Sequence, residues 1–184
     1  MSRLGPPSRT TAVRPPPEDG ITAHPRRFVI RGQLRCPLAL TVAELRERWP
    51  QRRAEVVFDC ATNGPQHHTF EGPLLREVIA EAGPAFDARR RKDRSRYVLA
   101  VTGRDGHHTV LSWAELDADF GDAPVLLATA MDGRALDAAG SQLVVPSDRC
   151  GARYISAITG IWFGTCAPLE ASPGLSGGPV TAAP

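Results

Sequence analysis

The sequence contains no run of apolar residues long enough to cross a bilayer. Its longest, such as Pro124–Ala130, fall far short of the roughly 20 residues a spanning helix needs. There is no C-x-x-C pair, and the four cysteines (Cys36, Cys60, Cys150, Cys166) are separated by 24, 90 and 16 positions, which matches no common zinc framework. Four cysteines in 184 residues also make no disulfide scaffold. The opening Met-Ser-Arg-Leu-Gly-Pro-Pro lacks the apolar core of an export signal, so the expectation is a cytoplasmic protein with reduced thiols. Net charge is nearly absent: 22 basic against 20 acidic residues gives +2. Residues 1–27 carry +3 and 167–184 carry −1, which leaves 17 charges of each sign in 28–166. A duplex-binding protein needs a concentrated positive face, so neither nucleic acid nor membrane is expected as a partner. Walker A and G-x-G-x-x-G sequences are missing as well.

What is present divides the chain in three. Residues 1–27 hold six of the 17 prolines and no hydrophobic periodicity, and 167–184 is rich in Gly, Ser, Pro and Ala. Neither stretch has the apolar content to offset its ordering entropy, and both are expected to be disordered. The G-x-S-x-G spelling at Gly174–Gly178 lies in that tail, without the strand and helix a nucleophile elbow requires. The remaining 139 residues, 28–166, suit one domain.

Within that domain, Phe28–Arg31 reads as a strand ending at Gly32, and Thr41-Val42-Ala43-Glu44 as a capping box opening a short helix. Glu55–Cys60 reads as a strand broken at Asn63-Gly64-Pro65 and resumed at His68–Glu71. Pro73 and Gly83 bracket a helix whose apolar face is Leu74, Leu75, Val78, Ile79 and Ala82. Tyr97–Thr102 and Thr109–Leu111 form a hairpin around Asp105-Gly106, followed by a second capping box, Ser112–Glu115. Val125–Met131, Leu143–Pro146 and Tyr154–Phe163 read as further strands. Seven or more strands, two or three helices and no β-α-β alternation predict an α+β fold on antiparallel or mixed sheets.

Two features stand out chemically. Cys60 ends a hydrophobic strand just before a polar loop, a common setting for site residues, although buried cysteines are often inert. His67-His68 and His107-His108 hold four of the five histidines. Neighbours on a strand face opposite ways, so at most one of each pair faces a given pocket. Cys60 with one histidine from each pair is a conceivable zinc or copper site. The basic run Arg89–Arg96 reads as a solvated loop or an anion contact.

The order of segments resembles the molybdopterin-binding domain of the sulfite oxidase family. Phe28–Leu45 is similar to its opening strand, Gly turn, Pro and "Leu-Thr" helix start. Asp59-Cys60-Ala61-Thr62-Asn63 is similar to its Cys-x-x-Asn segment, Thr69–Leu75 with Ala82-Gly83 to its aromatic-x-Gly helix start, Asp105-Gly106-His107 to its Asp-Gly-Tyr turn, and Leu143–Ile161 to its closing strand–loop–strand. The resemblance spans 28–163. It implies a sulfite-oxidase-type fold and a molybdenum–molybdopterin cofactor, with Cys60 as protein ligand to the metal. It further implies Asn63, Arg149, Gly151 and Arg153 as cofactor-binding residues, and by position His107 or His108 as the hydrogen-bond partner of the oxo group or substrate. The implied activity is oxygen-atom transfer on a small molecule, with a separate electron-transfer partner because no haem or iron–sulfur pattern is present. Where the family's cysteine segment often continues with arginines, Gly64-Pro65-Gln66 follows. A non-catalytic interaction module that keeps the fold without the cofactor is therefore the alternative.

Overall fold

The computed structural model describes residues 26–60, 64–90 and 92–165, excepting the side chains of 58–60 and 64. Asn63, Cys166, the two terminal segments and the Gly174–Gly178 spelling lie outside the described residues. The described elements are strands β1 (Phe28–Gly32) and β2 (Leu38–Leu40), helix α1 (Val42–Arg48), strands β3 (Arg52–Cys60) and β4 (Gly64–Gly72), and helix α2 (Leu75–Glu81). After them come β5 (Tyr97–Gly103), β6 (His108–Ser112), α3 (Trp113–Leu116), β7 (Leu126–Ala128), β8 (Ala130–Met131), β9 (Arg134–Ala135), β10 (Gln142–Val144) and β11 (Ile158–Thr165). Short 3-10 turns lie at Asp93–Arg96 and Gly151–Arg153. No described helix is long and apolar enough to cross a membrane.

The strands form a five-stranded sheet in the order β2-β1-β11-β5-β6, a four-stranded sheet β3-β4-β8-β9 and a two-stranded sheet β10-β7. Every pairing is antiparallel except β1 with β11. This is the expected α+β architecture on mixed sheets. One face of the large sheet is the core: Phe28 and Ile30 from β1, Tyr97, Leu99 and Val101 from β5, and Phe163 from β11 are all buried. In β11 the buried Ile158 and Ile161 are three residues apart, which a regular strand cannot accommodate on one face. The register shifts between Ile158 and Gly160, and the extra residue brings both isoleucines inward.

Both capping boxes form. The Thr41 hydroxyl accepts from the Glu44 amide at 3.2 Å, while the Glu44 carboxylate accepts from the Thr41 amide at 2.7 Å. The Thr41 amide and the Thr41 hydroxyl, the latter at 2.9 Å, both donate to the Glu44 carboxylate and hold it below its ordinary pKa. Thr41→Ala should cost about 1 kcal/mol of unfolding free energy, read as a lower urea midpoint at unchanged slope; no shift would mean that α1 is held by packing alone.

Several boundaries differ from the sequence reading. Val125–Met131 is two strands in two sheets, divided at Thr129. There the amide donates to the Glu71 carbonyl and the hydroxyl to Gln51 Oε1, each at 2.7 Å. A buried apolar run carries no mark of where it changes partner. Pro73 precedes α2 by two positions rather than opening it, because Leu74 stays extended and bridges Leu126. Gly83, at φ +68, does terminate that helix. The break expected at Asn63-Gly64-Pro65 is shorter, since β4 begins at Gly64 and sets Pro65 opposite Asp59. The last strand begins at Ile158 rather than Tyr154, for Ala157 adopts φ +50 and turns the chain.

Candidate active site

The chain positions its cysteine by register. β3 and β4 pair from Arg52↔Gly72 to Cys60↔Gly64, so Cys60 stands at the end of the ladder where the chain passes from one strand to the other. β3 in turn touches the 3-10 turn Gly151–Arg153. The segment after that turn packs on the β5–β6 hairpin. The Arg104 amide donates to the Ala157 carbonyl at 3.1 Å, and a Cβ at Gly103 would lie 2.8 Å from the Ser156 carbonyl oxygen. Three stretches named from the sequence, ending at Cys60, spanning Arg149–Arg153 and turning at His107, thus lie on successively contacting elements.

The turn 148–153 is held by one guanidinium. Arg153 donates to both Asp148 carboxylate oxygens, at 2.8 and 2.6 Å, and to Glu115 Oε1 at 3.0 Å. Hydrogen bonding to Asp148, then to Glu115, outweighs burial and raises the Arg153 pKa further above its ordinary value. Glu115 therefore acts twice: its other oxygen accepts from the Ser112 amide at 2.7 Å and completes the α3 capping box. Neighbouring Tyr154 is buried, donates to the Val145 carbonyl at 3.1 Å, and has its phenol pushed up to about 12, by burial first and the Asp148 charge second. Arg149 is exposed and, among the described residues, has no carboxylate partner. With Arg153 neutralised, Arg149 is the cation of this turn available to an anionic group. Cys150 beside it is a free, exposed thiol, as is Cys36.

His107 is exposed at the β5–β6 turn, where its amide donates to Asp105 Oδ1 at 3.0 Å. His108 is also exposed, with Nδ1 3.4 Å from the Gly106 carbonyl oxygen. His67 is exposed on β4, and His68 is spent on structure: its Nδ1 lies 2.8 Å from Asp132 Oδ2 across the sheet. The other Asp132 oxygen accepts from the Thr69 amide at 2.9 Å, and these contacts lower the Asp132 pKa. A depressed carboxylate pKa makes this latch complete at neutral pH and weakens it as pH falls through the lowered value. The histidine pairs sit on different sheets, and no group of three or more His, Cys, Asp or Glu able to hold a metal occurs among the described residues.

Sequence reasoning named Arg153 but not its holders. Asp148 stood inside the quoted closing segment, and Glu115 was read only as a capping residue. The signal for both is charge: a carboxylate five residues before an arginine, and a capping glutamate with one oxygen to spare.

No curated protein matches the chain. Among solved structures, the sulfane dehydrogenase SoxCD from Paracoccus pantotrophus is similar, with a TM-score of 0.57 and 21% sequence identity over 74% of this chain and 37% of that one. At that identity the likeness speaks for the fold, and this chain spans well under half the length of that neighbour. The family model described as the oxidoreductase molybdopterin-binding domain matches residues 15–167. With that match and the sulfite-oxidase-type fold together, the chain belongs to the oxidoreductase molybdopterin-binding domain family.

Proposed function

We propose that this chain is a molybdopterin-dependent oxidoreductase that performs oxygen-atom transfer, with Cys60 as the protein ligand to molybdenum. What carries the reading is the place of Cys60, at the end of a strand that elsewhere along its length touches the Gly151–Arg153 turn, in a chain of this family. The donor chemistry fits the group. A thiolate suits a soft, redox-active metal, and an uncommitted guanidinium beside a glycine amide suits a phosphate. When bound, the cofactor supplies a two-electron centre with an oxo group, and the protein supplies binding, orientation and electrostatics.

In this reading Cys60 is held as thiolate by the metal's charge. Arg149 and the Gly151 amide receive the cofactor's phosphate. Arg153, fixed through Asp148 and Glu115, keeps that turn, and with it Arg149 and Gly151, in place. Asn63 orients the Cys60 loop or the pterin. His107 donates a hydrogen bond to substrate from the neighbouring hairpin. Electrons reach or leave the site through a separate carrier, and the substrate is a small molecule.

The test is dye-linked turnover. Protein made in a cofactor-producing host should reduce S-oxides or N-oxides with a reduced viologen, or oxidise the corresponding acceptors with an oxidised dye. Arg149→Gln should lower cofactor occupancy about tenfold, in line with one charge-assisted hydrogen bond lost. No turnover in either direction by molybdenum-loaded protein would defeat the catalytic reading and favour an interaction module.

A further inference from the structure

The basic run Arg89–Arg96 is not absorbed by this reading, and it does not lie as a plain solvated loop. Asp93 within it is buried. One of its oxygens accepts from the Asp87 amide at 2.8 Å, and the other takes the Arg96 guanidinium, its Nε at 3.1 Å. Those two contacts, the Asp87 amide foremost, hold the Asp93 carboxyl below its ordinary pKa. Asp87 is occupied as well, by the Arg89 amide at 3.0 Å. The acids of the loop are thus consumed in shaping it.

Its cations are not. Two cavities of about 410 and 320 Å³ meet at Arg90. The larger is lined by Arg35, Pro84, the half-buried Phe86, Asp87 and Arg94; the smaller by Lys92, Asp93 and Arg96. Arg94 is already paired with Asp117 and Asp119, and Arg96 with Asp93. Arg35, Arg90 and Lys92 have no carboxylate partner among the described residues. Arg35 is brought in from the β1–β2 connection by backbone hydrogen bonds, its amide to the Gly83 carbonyl at 2.9 Å and the Ala85 amide to the Gln33 carbonyl at 3.0 Å. Arg35 and Arg90, from two separate segments, therefore line one concave surface with an aromatic wall, and Lys92 lines the smaller cavity that shares Arg90.

We propose that the larger cavity is a binding site for a small phosphorylated ligand, its phosphate oxygens taken by Arg35 and Arg90 and its organic part set against Phe86 and Pro84, with Lys92 adding its charge from the adjoining cavity. Guanidinium groups bind phosphate through paired N–H donors, which favours an arginine cradle over a diffuse positive surface. The concavity favours a small molecule over a protein face. The flanking acids Asp117 and Asp119 interrupt the positive stripe that a nucleic-acid strand would follow. The site shares no residue with Cys60, Asn63 or the turn 148–153.

Calorimetric titration of the full chain with inorganic pyrophosphate tests it. Saturable binding is expected, weakened at least about tenfold by Arg35→Gln and by Arg90→Gln, each removing a charge-assisted contact. Arg46→Gln, which removes an equal charge paired with Asp137 elsewhere, should leave it unchanged. Molybdenum content should be the same in all four proteins. The proposal is overturned by an absence of saturable heat at millimolar pyrophosphate, or by equal weakening from Arg46→Gln. It is equally overturned by loss of molybdenum in the Arg35 or Arg90 variant, or by an acidic peptide or single-stranded oligonucleotide outcompeting pyrophosphate.

Discussion

Cys60→Ser should purify folded, with an unchanged far-ultraviolet spectrum, and without molybdenum. Oxygen-atom transfer should fall well beyond the 10–100-fold that loss of a partner merely supporting a metal ligand costs, because here the ligand itself is replaced. Serine is nearly isosteric, and Cys60 is the last paired residue of β3, so backbone pairing with Gly64 need not change. A hydroxyl, however, is a harder and far less acidic donor than a thiol and does not replace a thiolate on a soft metal. Retention of metal and rate in this variant would remove Cys60 from the site.

Phe163→Ala should be the most damaging single change to the fold. Phe163 is wholly buried on β11. It stacks on Tyr97 at 5.1 Å between centroids and takes Trp113 and Phe86 edge-on at 5.4 and 5.9 Å. This aromatic cluster ties the central strand of the large sheet to α3 and to the chain leading into the basic loop. Phenylalanine-to-alanine changes in cores cost about 3–5 kcal/mol, against a total domain stability of about 5–15 kcal/mol. A fall in Tm of roughly 10 °C or more follows for a domain of this size. Scanning calorimetry checks it; a loss under about 1 kcal/mol would mean that the cluster collapses around the gap and that the core does not depend on it.

The parts of the fold that were readable from sequence are those decided within a few residues. Thr41 with Glu44 and Ser112 with Glu115 declare themselves through side chains that close a local hydrogen bond, and Gly83 after α2 and Gly106 between β5 and β6 through the positive φ that glycine adopts freely. Long-range choices do not declare themselves. The pairing of β1 with β11 joins Val29 to Gly160, and nothing near either residue encodes the other. The bulge that turns Ile158 and Ile161 to the same face follows from their spacing only once the neighbour is known. Thr129 divides one apolar run because Gln51 and Glu71, far away in the chain, offer it partners.

The candidate site divides in the same way. Cys60 was legible as a thiol at a strand end, and Arg149, Gly151 and Arg153 through the resemblance of their segment. That the Gly151–Arg153 turn contacts β3, and that Arg153 is neutralised by Glu115 from α3, required the tertiary structure. The two arginines differ in this: Arg153 braces the turn, and Arg149 has no carboxylate partner among the described residues. His68, one of the paired histidines considered for a metal, is explained by its contact with Asp132.

The central claim is that this domain holds molybdenum through one cysteine sulfur. Elemental analysis of the full chain, purified from a host that makes the cofactor, measures it directly. The account predicts about one molybdenum per chain, the single-site stoichiometry of a lone thiolate ligand completed by the pterin's sulfurs. Protein free of molybdenum from such a host, or carrying zinc or copper in its place, would contradict it.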